Sequence, residues 1–271
     1  MKILFADLDG TLLNNESRVS DYSITVIRRM TEEGHKLVLA SGRPLESILE
    51  VKRLAGLDMP GVYVTANNGS LIYDCDRGVT IYEDPVPLDR VKLIWDTAYA
   101  MDLHIQTYTE NAVITRADDA EIRKYTLKIH IPIIYAGDPL SVLKAAPPKM
   151  LAISLTDTDK LDRFRQKVLE EHSDVLDALY SEPEYLEIYS KTAGKGRALT
   201  WLCDHLGIPI GDSYAAGDAM NDISMIEAAG HGIVMLNADE SVKVHADIVT
   251  ESTNDEDGLA RVILDKIIGE A

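Results

Sequence analysis

Apolar residues near the start of the chain follow two patterns, short continuous runs and a helical spacing. Three short runs each predict a buried strand, at residues 2–7, 37–40 and 62–65. Between the first two runs, apolar side chains recur every four residues, at Tyr22, Val26 and Met30. This spacing predicts a helix over about 20–33 that stops at Gly34. Short strands that alternate with helices indicate a parallel sheet covered by helices on both faces.

The alternation of short strands with helices stops after the third apolar run and resumes near Lys195. Between these points, residues 84–187 contain helix and strand patterns of their own, which predicts an inserted α+β domain with a separate core. Its predicted helices lie near 88–101, 118–129 and 159–171. We therefore predict an α/β fold with a Rossmann-like core of residues 1–83 and 188–271, split by the insert.

The net charge of the chain limits which kinds of molecule it is expected to bind. Forty-five acidic residues stand against 27 basic ones among 271, so the net charge is −18. Such a surface repels a phosphate backbone, and we expect no nucleic acid as a partner. An anionic substrate would need a metal ion or a buried lysine to receive it.

Apolar runs are too short for a signal peptide or a membrane span, so a cytoplasmic protein without membrane contact is expected.

Cys75 and Cys203 are the only cysteines, and their spacing fits neither a disulfide framework nor a metal site. We expect both to stay reduced and structural. A monomer is expected, with weak self-association as the alternative.

Two carboxylates, Asp7 and Asp9, follow the first apolar run directly. In an extended chain, residues two apart point the same way, so both would face the space beyond the strand end. Such a pair can stay ionised beside a divalent cation, and hard oxygen ligands suit Mg²⁺. A protonated Asp9 could instead act as an acid. The alternative is an ordinary hairpin in which Asp9-Gly10 joins residues 3–5 to 12–13.

Two further positions offer groups that could bind an anion. Ser41 and the amide of Gly42 follow the second apolar run and precede a predicted helix, although Ser41 could simply cap that helix. Lys195 starts another predicted helix, where a cation opposes the helix dipole, so its placement suggests a function. Lys191 is the competing lysine.

A second acidic site follows the apolar run 214–216. Asp218 could bind a metal directly, while Asp222 could hold a metal-bound water or orient Lys195. Asn221 offers an amide donor at a helix start. The alternative is a turn rich in helix-capping residues. Together, the two acidic sites, the hydroxyl and the lysine supply what phosphoryl transfer requires.

At these positions the chain resembles the haloacid dehalogenase superfamily of phosphatases. The four motifs occur in order, as Asp7-Leu8-Asp9-Gly10-Thr11, Ser41-Gly42-Arg43, Lys195-Gly196 and Gly217-Asp218-Ala219-Met220-Asn221-Asp222. The insert lies between the second and third motifs, as in members with a cap of the second type. Residues 65–69 and 254–258 are similar to the Cof-type subfamily, which includes bacterial sugar phosphatases.

The resemblance implies a role for each matching residue. Asp7 would attack phosphorus and become an aspartyl phosphate, while Asp9 would protonate the leaving alkoxide and later deprotonate water. Mg²⁺ would be held by Asp7, the backbone carbonyl of Asp9 and Asp218, with Asp222 supporting the metal shell. Phosphate oxygens would be held by Ser41, Gly42, Lys195, Asn221 and the amide of Leu8.

The resulting hypothesis is an Mg²⁺-dependent phosphatase of small phosphorylated metabolites, with the insert as a lid. A phosphomutase is the alternative enzyme. A signalling module that only stores a phosphoryl group is the alternative from another class, although storage has no use for the acid Asp9. Side chains that could set specificity in the insert are Arg116, Arg123, Lys128 and Tyr189.

Overall fold

The computed structural model describes residues 1–109, 111–127 and 131–269. Lys128 and the predicted end of the helix near 118–129 lie outside these ranges. The chain forms two compact units. The first comprises Met1–Tyr82 together with the chain from Gly194 onwards, and the second comprises Glu83–Ala193.

The strands of the described residues are, in chain order, β1 (Ile3–Ala6), β2 (Lys36–Ala40), β3 (Val62–Ala66), β4 (Leu71–Asp74), β5 (Val79–Glu83), β6 (His104–Tyr108), β7 (Val113–Thr115), β8 (Ile133–Tyr135), β9 (Met150–Ile153), β10 (Leu176–Glu182), β11 (Tyr185–Ser190), β12 (Ser213–Gly217), β13 (His231–Val234) and β14 (Ile248–Val249). The α-helices are α1 (Asp21–Glu32), α2 (Leu45–Leu54), α3 (Leu88–Ala100), α4 (Ala120–Thr126), α5 (Thr158–His172), α6 (Lys195–Leu206), α7 (Ile223–Ala228), α8 (Glu240–Lys243) and α9 (Gly258–Val262). A π-helical turn, Ile263–Ile268, continues α9.

The first unit is built on an eight-stranded sheet in the order β14-β13-β12-β1-β2-β3-β4-β5. Strand β1 lies at its middle and pairs in parallel with β12 and β2. Alternate residues of β1 enter two different cores, Leu4 and Ala6 on one face and Ile3 and Phe5 on the other. Helices cover both faces, which explains why these strands are continuous apolar runs. The predicted α/β fold is confirmed.

The pairing of β1 excludes the hairpin alternative for Asp9-Gly10. Both neighbours of β1 are parallel strands, and residues 12–13 belong to no strand. Asp9 and Leu13 share only an isolated parallel bridge. The Asp-Gly pair therefore serves a turn at the carboxyl end of a central strand.

The second unit is built on a six-stranded sheet in the order β10-β11-β9-β6-β7-β8. Helices α3 and α5 supply Ile94, Trp95 and Phe164 to the core on one face of this sheet. Strand β11 pairs with β10 as far as Ser190. The unit consequently continues to Ala193, whereas the sequence-based boundary at 188 would divide β11.

Helices α1, α4 and α5 begin at a side-chain cap. Helix α1 starts after Ser20, whose side chain accepts a hydrogen bond from the backbone N–H of Ser23. Near the end of the chain, where the sequence pattern predicts one helix near 256–268, the structure has a 3₁₀ turn, α9 and the π-helical turn. Within the described residues, no helix is both long and apolar enough to cross a bilayer.

Candidate active site

The carboxyl ends of three neighbouring parallel strands carry the predicted site residues. Asp7 follows β1, Ser41 follows β2, and Asp218 follows β12. The backbone N–H of Asp7 donates to the carbonyl of Ala216 at 2.9 Å, so the first motif is joined to the strand that leads into the fourth. Sheet order thus brings together residues about two hundred positions apart in sequence.

A buried lysine lies between two of the predicted acids. The ammonium group of Lys195 donates to Asp7 Oδ1 at 2.6 Å and to Asp222 Oδ1 at 2.5 Å. The Lys195 and Asp222 side chains are wholly buried, which a charge tolerates only when it is paired. Lys191 donates instead to the carbonyl of Ser173. Lys195 is therefore the lysine of the acidic cluster.

These two ion pairs explain why a lysine can start helix α6. Burial alone would lower the pKa of Lys195, but the charges of Asp222 and Asp7 outweigh it and raise that pKa. The ammonium consequently stays charged, and the unfavourable helix dipole is offset by two carboxylates.

Asp222 organises the loop that carries Asp218. Its Oδ2 accepts hydrogen bonds from the backbone N–H groups of Asp218 and Ala219, each at 3.1 Å. A Cβ placed at Gly217 would overlap Asp222, so only glycine allows this close packing. Of the two roles predicted for Asp222, the structure shows the contact needed to orient Lys195.

The turn after β1 packs directly against Asp218. Thr11 Oγ1 donates to Asp218 Oδ1 at 2.9 Å. Gly10 has φ +78°, and a Cβ there would overlap the Asp218 carboxylate. This contact needs glycine for both its backbone conformation and its close approach.

Asp7, Asp218 and Asp222 form a cluster of three carboxylates. One oxygen from each lies within 4.8 Å of the others, and Lys195 compensates only part of their charge. Burial, together with the charge of Asp222, raises the pKa of Asp7 to about 8 against the opposing effect of Lys195. Burial raises the pKa of Asp218 to about 6. Surplus negative charge on hard oxygen donors fits a hard divalent cation.

Asp9 has a different environment from Asp7. The guanidinium of Arg43 donates to both of its carboxylate oxygens, from Nε at 2.9 Å and from Nη2 at 2.7 Å. Its side chain is 56% exposed, while that of Asp7 is 10% exposed. The carboxylate of Asp9 is therefore available to solvent and lies outside the three-carboxylate cluster. Metal binding by the backbone carbonyl of Asp9 stays a prediction.

Asn68 connects the remaining predicted phosphate-binding residues. Asn221 Nδ2 donates to Asn68 Oδ1 at 3.4 Å, and a Cβ at Gly42 would lie 3.0 Å from that same oxygen. The hydroxyl oxygen of Ser41, which is buried, accepts from the backbone N–H of Arg43 at 3.2 Å. The side chain of Leu8 is wholly buried, and its carbonyl accepts from Leu13 N–H at 2.8 Å. Phosphate binding by these residues stays a prediction.

Sequence reasoning assigned no site role to several residues in contact with this site, namely Thr11, Arg43, Asn68, Asn237 and Asn254. Four of them, Thr11, Arg43, Asn68 and Asn254, lie in segments that carry the family resemblance. The clearest local signal is that of Asn68. It precedes Gly69 and has φ +55°, and the preceding Asn67 has φ +51°. Asparagine tolerates the left-handed region best after glycine, so the Asn-Asn-Gly run is the sequence signal for a turn here.

The candidates for specificity in the second unit are placed as follows. The guanidinium of Arg116 lies 3.5 Å from the ring centre of Tyr99, while Arg123 pairs with Asp118 at an exposed position. Tyr189 is buried. Their part in substrate recognition stays a prediction.

Comparison with known proteins identifies the family of the chain. Residues 4–263 match the family of haloacid dehalogenase-like hydrolases. The chain is 31% identical over 299 residues to the 5-amino-6-(5-phospho-D-ribitylamino)uracil phosphatase YwtE of Bacillus subtilis strain 168, an alignment that covers 100% of this chain and 99% of that protein. It is 28% identical over 275 residues to the pyridoxal phosphate phosphatase YbhA of Escherichia coli strain K12, covering 98% and 99%.

A solved structure shows the same fold. A haloacid dehalogenase-like hydrolase from Bacteroides thetaiotaomicron has a TM-score of 0.88 and 31% sequence identity, with 97% of this chain and 98% of that chain covered. The resemblance found in the four motifs is thereby confirmed. The chain belongs to the haloacid dehalogenase-like hydrolases and is a phosphomonoester hydrolase.

Proposed function

We propose that this protein is an Mg²⁺-dependent phosphatase of small phosphorylated metabolites, with sugar phosphates as the first class to test. One observation carries the proposal: Asp7, Asp218, Asp222 and Lys195 meet in one cluster beside the turn that presents Asp9. The two relatives described above are named for phosphate esters of small molecules. A cytoplasmic location, a monomer and the lid role of the second unit stay predictions.

The first step is nucleophilic. An oxygen of Asp7 attacks phosphorus, the bond from phosphorus to the ester oxygen breaks, and an aspartyl phosphate forms. Protonated Asp9 gives its proton to the departing alkoxide, which leaves as an alcohol. Lys195 adjoins Asp7 and would stabilise charge on the phosphoryl oxygens, together with the donors of Ser41, Gly42 and Asn221.

The second step restores the enzyme. Asp9 takes a proton from water, whose oxygen attacks phosphorus while the bond to Asp7 breaks. The products are inorganic phosphate and free Asp7. Mg²⁺, held by Asp7 and Asp218 with the Asp9 carbonyl and supported by Asp222, would supply charge neutralisation at the phosphoryl group.

A panel of phosphate esters tests this function. Phosphate release is measured with Mg²⁺ and with EDTA, for the wild type and for Asp7→Asn. We expect release that requires Mg²⁺ and falls by about 10³-fold or more in Asp7→Asn, because the nucleophile is lost. Asp21→Asn, an exposed acid in the first turn of α1, is the matched control and should stay fully active.

Two outcomes would contradict the proposal. One is a panel in which no ester is hydrolysed, and the other is near-normal activity in Asp7→Asn. A phosphomutase would be recognised by isomer formation without phosphate release when a sugar monophosphate is supplied with a bisphosphate activator.

A further inference from the structure

Two asparagines outside the acidic cluster are hydrogen-bonded to the turn after β1. Asn237 Nδ2 donates to the carbonyl of Gly10 at 2.8 Å, and Asn254 Nδ2 donates to the carbonyl of Leu13 at 2.9 Å. The backbone N–H of Asn254 also donates to Asn237 Oδ1 at 3.1 Å. The two residues, linked through the Asn254 backbone, therefore form one connected bridge, here called the asparagine bridge, that holds the turn at two carbonyls.

The turn needs contacts of this kind because its own hydrogen bonds are local. Leu12 N–H donates to Asp7 and Leu13 N–H donates to Leu8, which fixes the shape of the turn. Its position against the sheet depends on residues that are distant in sequence. In sequence, Asn237 lies 227 residues from Gly10, and Asn254 lies 241 residues from Leu13.

Stability does not account for the bridge. Asn237 is exposed and Asn254 is half-buried, and exposed hydrogen bonds contribute little to folding because water replaces them. Both amides nevertheless donate to carbonyls of one turn, the turn that contains Asp9. An acid that transfers a proton must be held within hydrogen-bond reach of its partner, so small displacements of this turn would matter.

We propose that Asn237 and Asn254 are positioning residues for Asp9. They hold the backbone carbonyls of Gly10 and Leu13, and thereby keep the Asp9 carboxyl where the leaving oxygen is protonated. This inference rests on the proposed function, in which Asp9 is the acid.

The test replaces one side-chain donor at a time. In Asn237→Asp and Asn254→Asp the side chain keeps its size, but a carboxylate oxygen faces a carbonyl oxygen and repels it. Asn237→Asp can still accept from Asn254 N–H. The matched control is Asn14→Asp in the same loop, because the Asn14 side-chain oxygen accepts from the backbone N–H groups of Glu16 and Arg18, and aspartate preserves both bonds.

Hydrogen exchange and kinetics are measured together. In both bridge variants, we expect amide exchange across residues 8–14 to accelerate by about tenfold or more, with the rest of the core unchanged. We expect kcat to fall by about ten- to a hundredfold, with KM within about threefold. The double variant should be little worse than the worse single variant, because the two residues hold the same turn. Asn14→Asp should match the wild type in both measurements.

Unchanged exchange in the bridge variants would overturn the proposal, and so would faster exchange with unchanged kcat. Asn237→Ala removes the amide without adding a charge. It must also accelerate amide exchange across residues 8–14 and lower kcat. If the wild type hydrolyses no ester, the proposed function fails by itself and the catalytic role of the bridge fails with it. The exchange comparison still decides whether the bridge holds the turn.

Discussion

Gly10 shows how one residue can connect two motifs. Its φ of +78° and the carboxylate of Asp218 beside it each exclude a side chain. A positive φ and a close neighbour are two separate reasons why a position needs glycine. Elsewhere in the chain, Gly34 has the positive φ but no close neighbour. Gly34 has φ +89°, and no atom lies within 4 Å of a Cβ placed there.

We predict that Gly10→Ala and Gly34→Ala separate these two demands. Gly34→Ala should lower the free energy of unfolding by about 1 kcal/mol through backbone strain and leave kcat unchanged. Gly10→Ala should lower the free energy of unfolding by at least as much. It should also lower kcat by about tenfold or more, because Asp218 must move. Urea denaturation and steady-state kinetics measure both effects. Normal activity in Gly10→Ala would contradict the assigned contact.

The two cysteines should be unreactive in the folded protein. Burial raises the pKa of both thiols, Cys75 and Cys203, from 9.0 to about 11. A raised pKa disfavours the thiolate, so at pH 8 the reactive fraction is about a hundredfold below that of an exposed thiol. We expect slow reaction with Ellman's reagent in native protein and rapid reaction of two thiols in urea. A fast native reaction would show that a thiol is not protected.

At the scale of elements, the site depends on how closely helix α6 approaches its neighbours. A Cβ at Gly196 would overlap the carbonyl of Ser224 in α7, and a Cβ at Gly69 would overlap the backbone at the start of α6. Lys195 lies between these two close approaches. The position of its ammonium group is thus set by backbone packing on both sides.

Gly196→Ala should therefore disturb stability and catalysis together. We expect the free energy of unfolding to fall by about 2–3 kcal/mol from overpacking, and kcat to fall as Lys195 shifts. Gly211→Ala is the control, since no atom lies within 4 Å of the added Cβ. Equal stability of the two variants, measured by urea denaturation, would show that α6 and α7 can separate at little cost.

The whole molecule carries a net charge of −18, and three of the carboxylates behind that surplus meet in its central cluster. A cation that binds the folded chain and not the unfolded chain must stabilise it by mass action. The size of that stabilisation depends on concentration relative to the dissociation constant.

Mg²⁺ should raise the melting temperature, and EDTA should reverse the rise. At a hundred times its dissociation constant, the ion would add about 2.7 kcal/mol. Asp218→Asn should melt no lower than the wild type in EDTA, because one half-buried negative charge beside Asp7 and Asp222 is removed. It should respond less to Mg²⁺. Differential scanning fluorimetry measures both. A full response to Mg²⁺ in Asp218→Asn would remove that residue from the site.

The sequence alone determined the alternating core, the inserted unit and the acids at the strand ends, because periodicity and capping are local signals. It also supported Lys195 over Lys191, through its placement at a helix start and the Lys195-Gly196 motif of the family resemblance. The tertiary structure decided which groups meet: Lys195 with two acids, Arg43 with Asp9, and Asn68 with Asn221. These contacts join residues far apart in the chain, so they depend on sheet order and backbone packing, which no local pattern encodes.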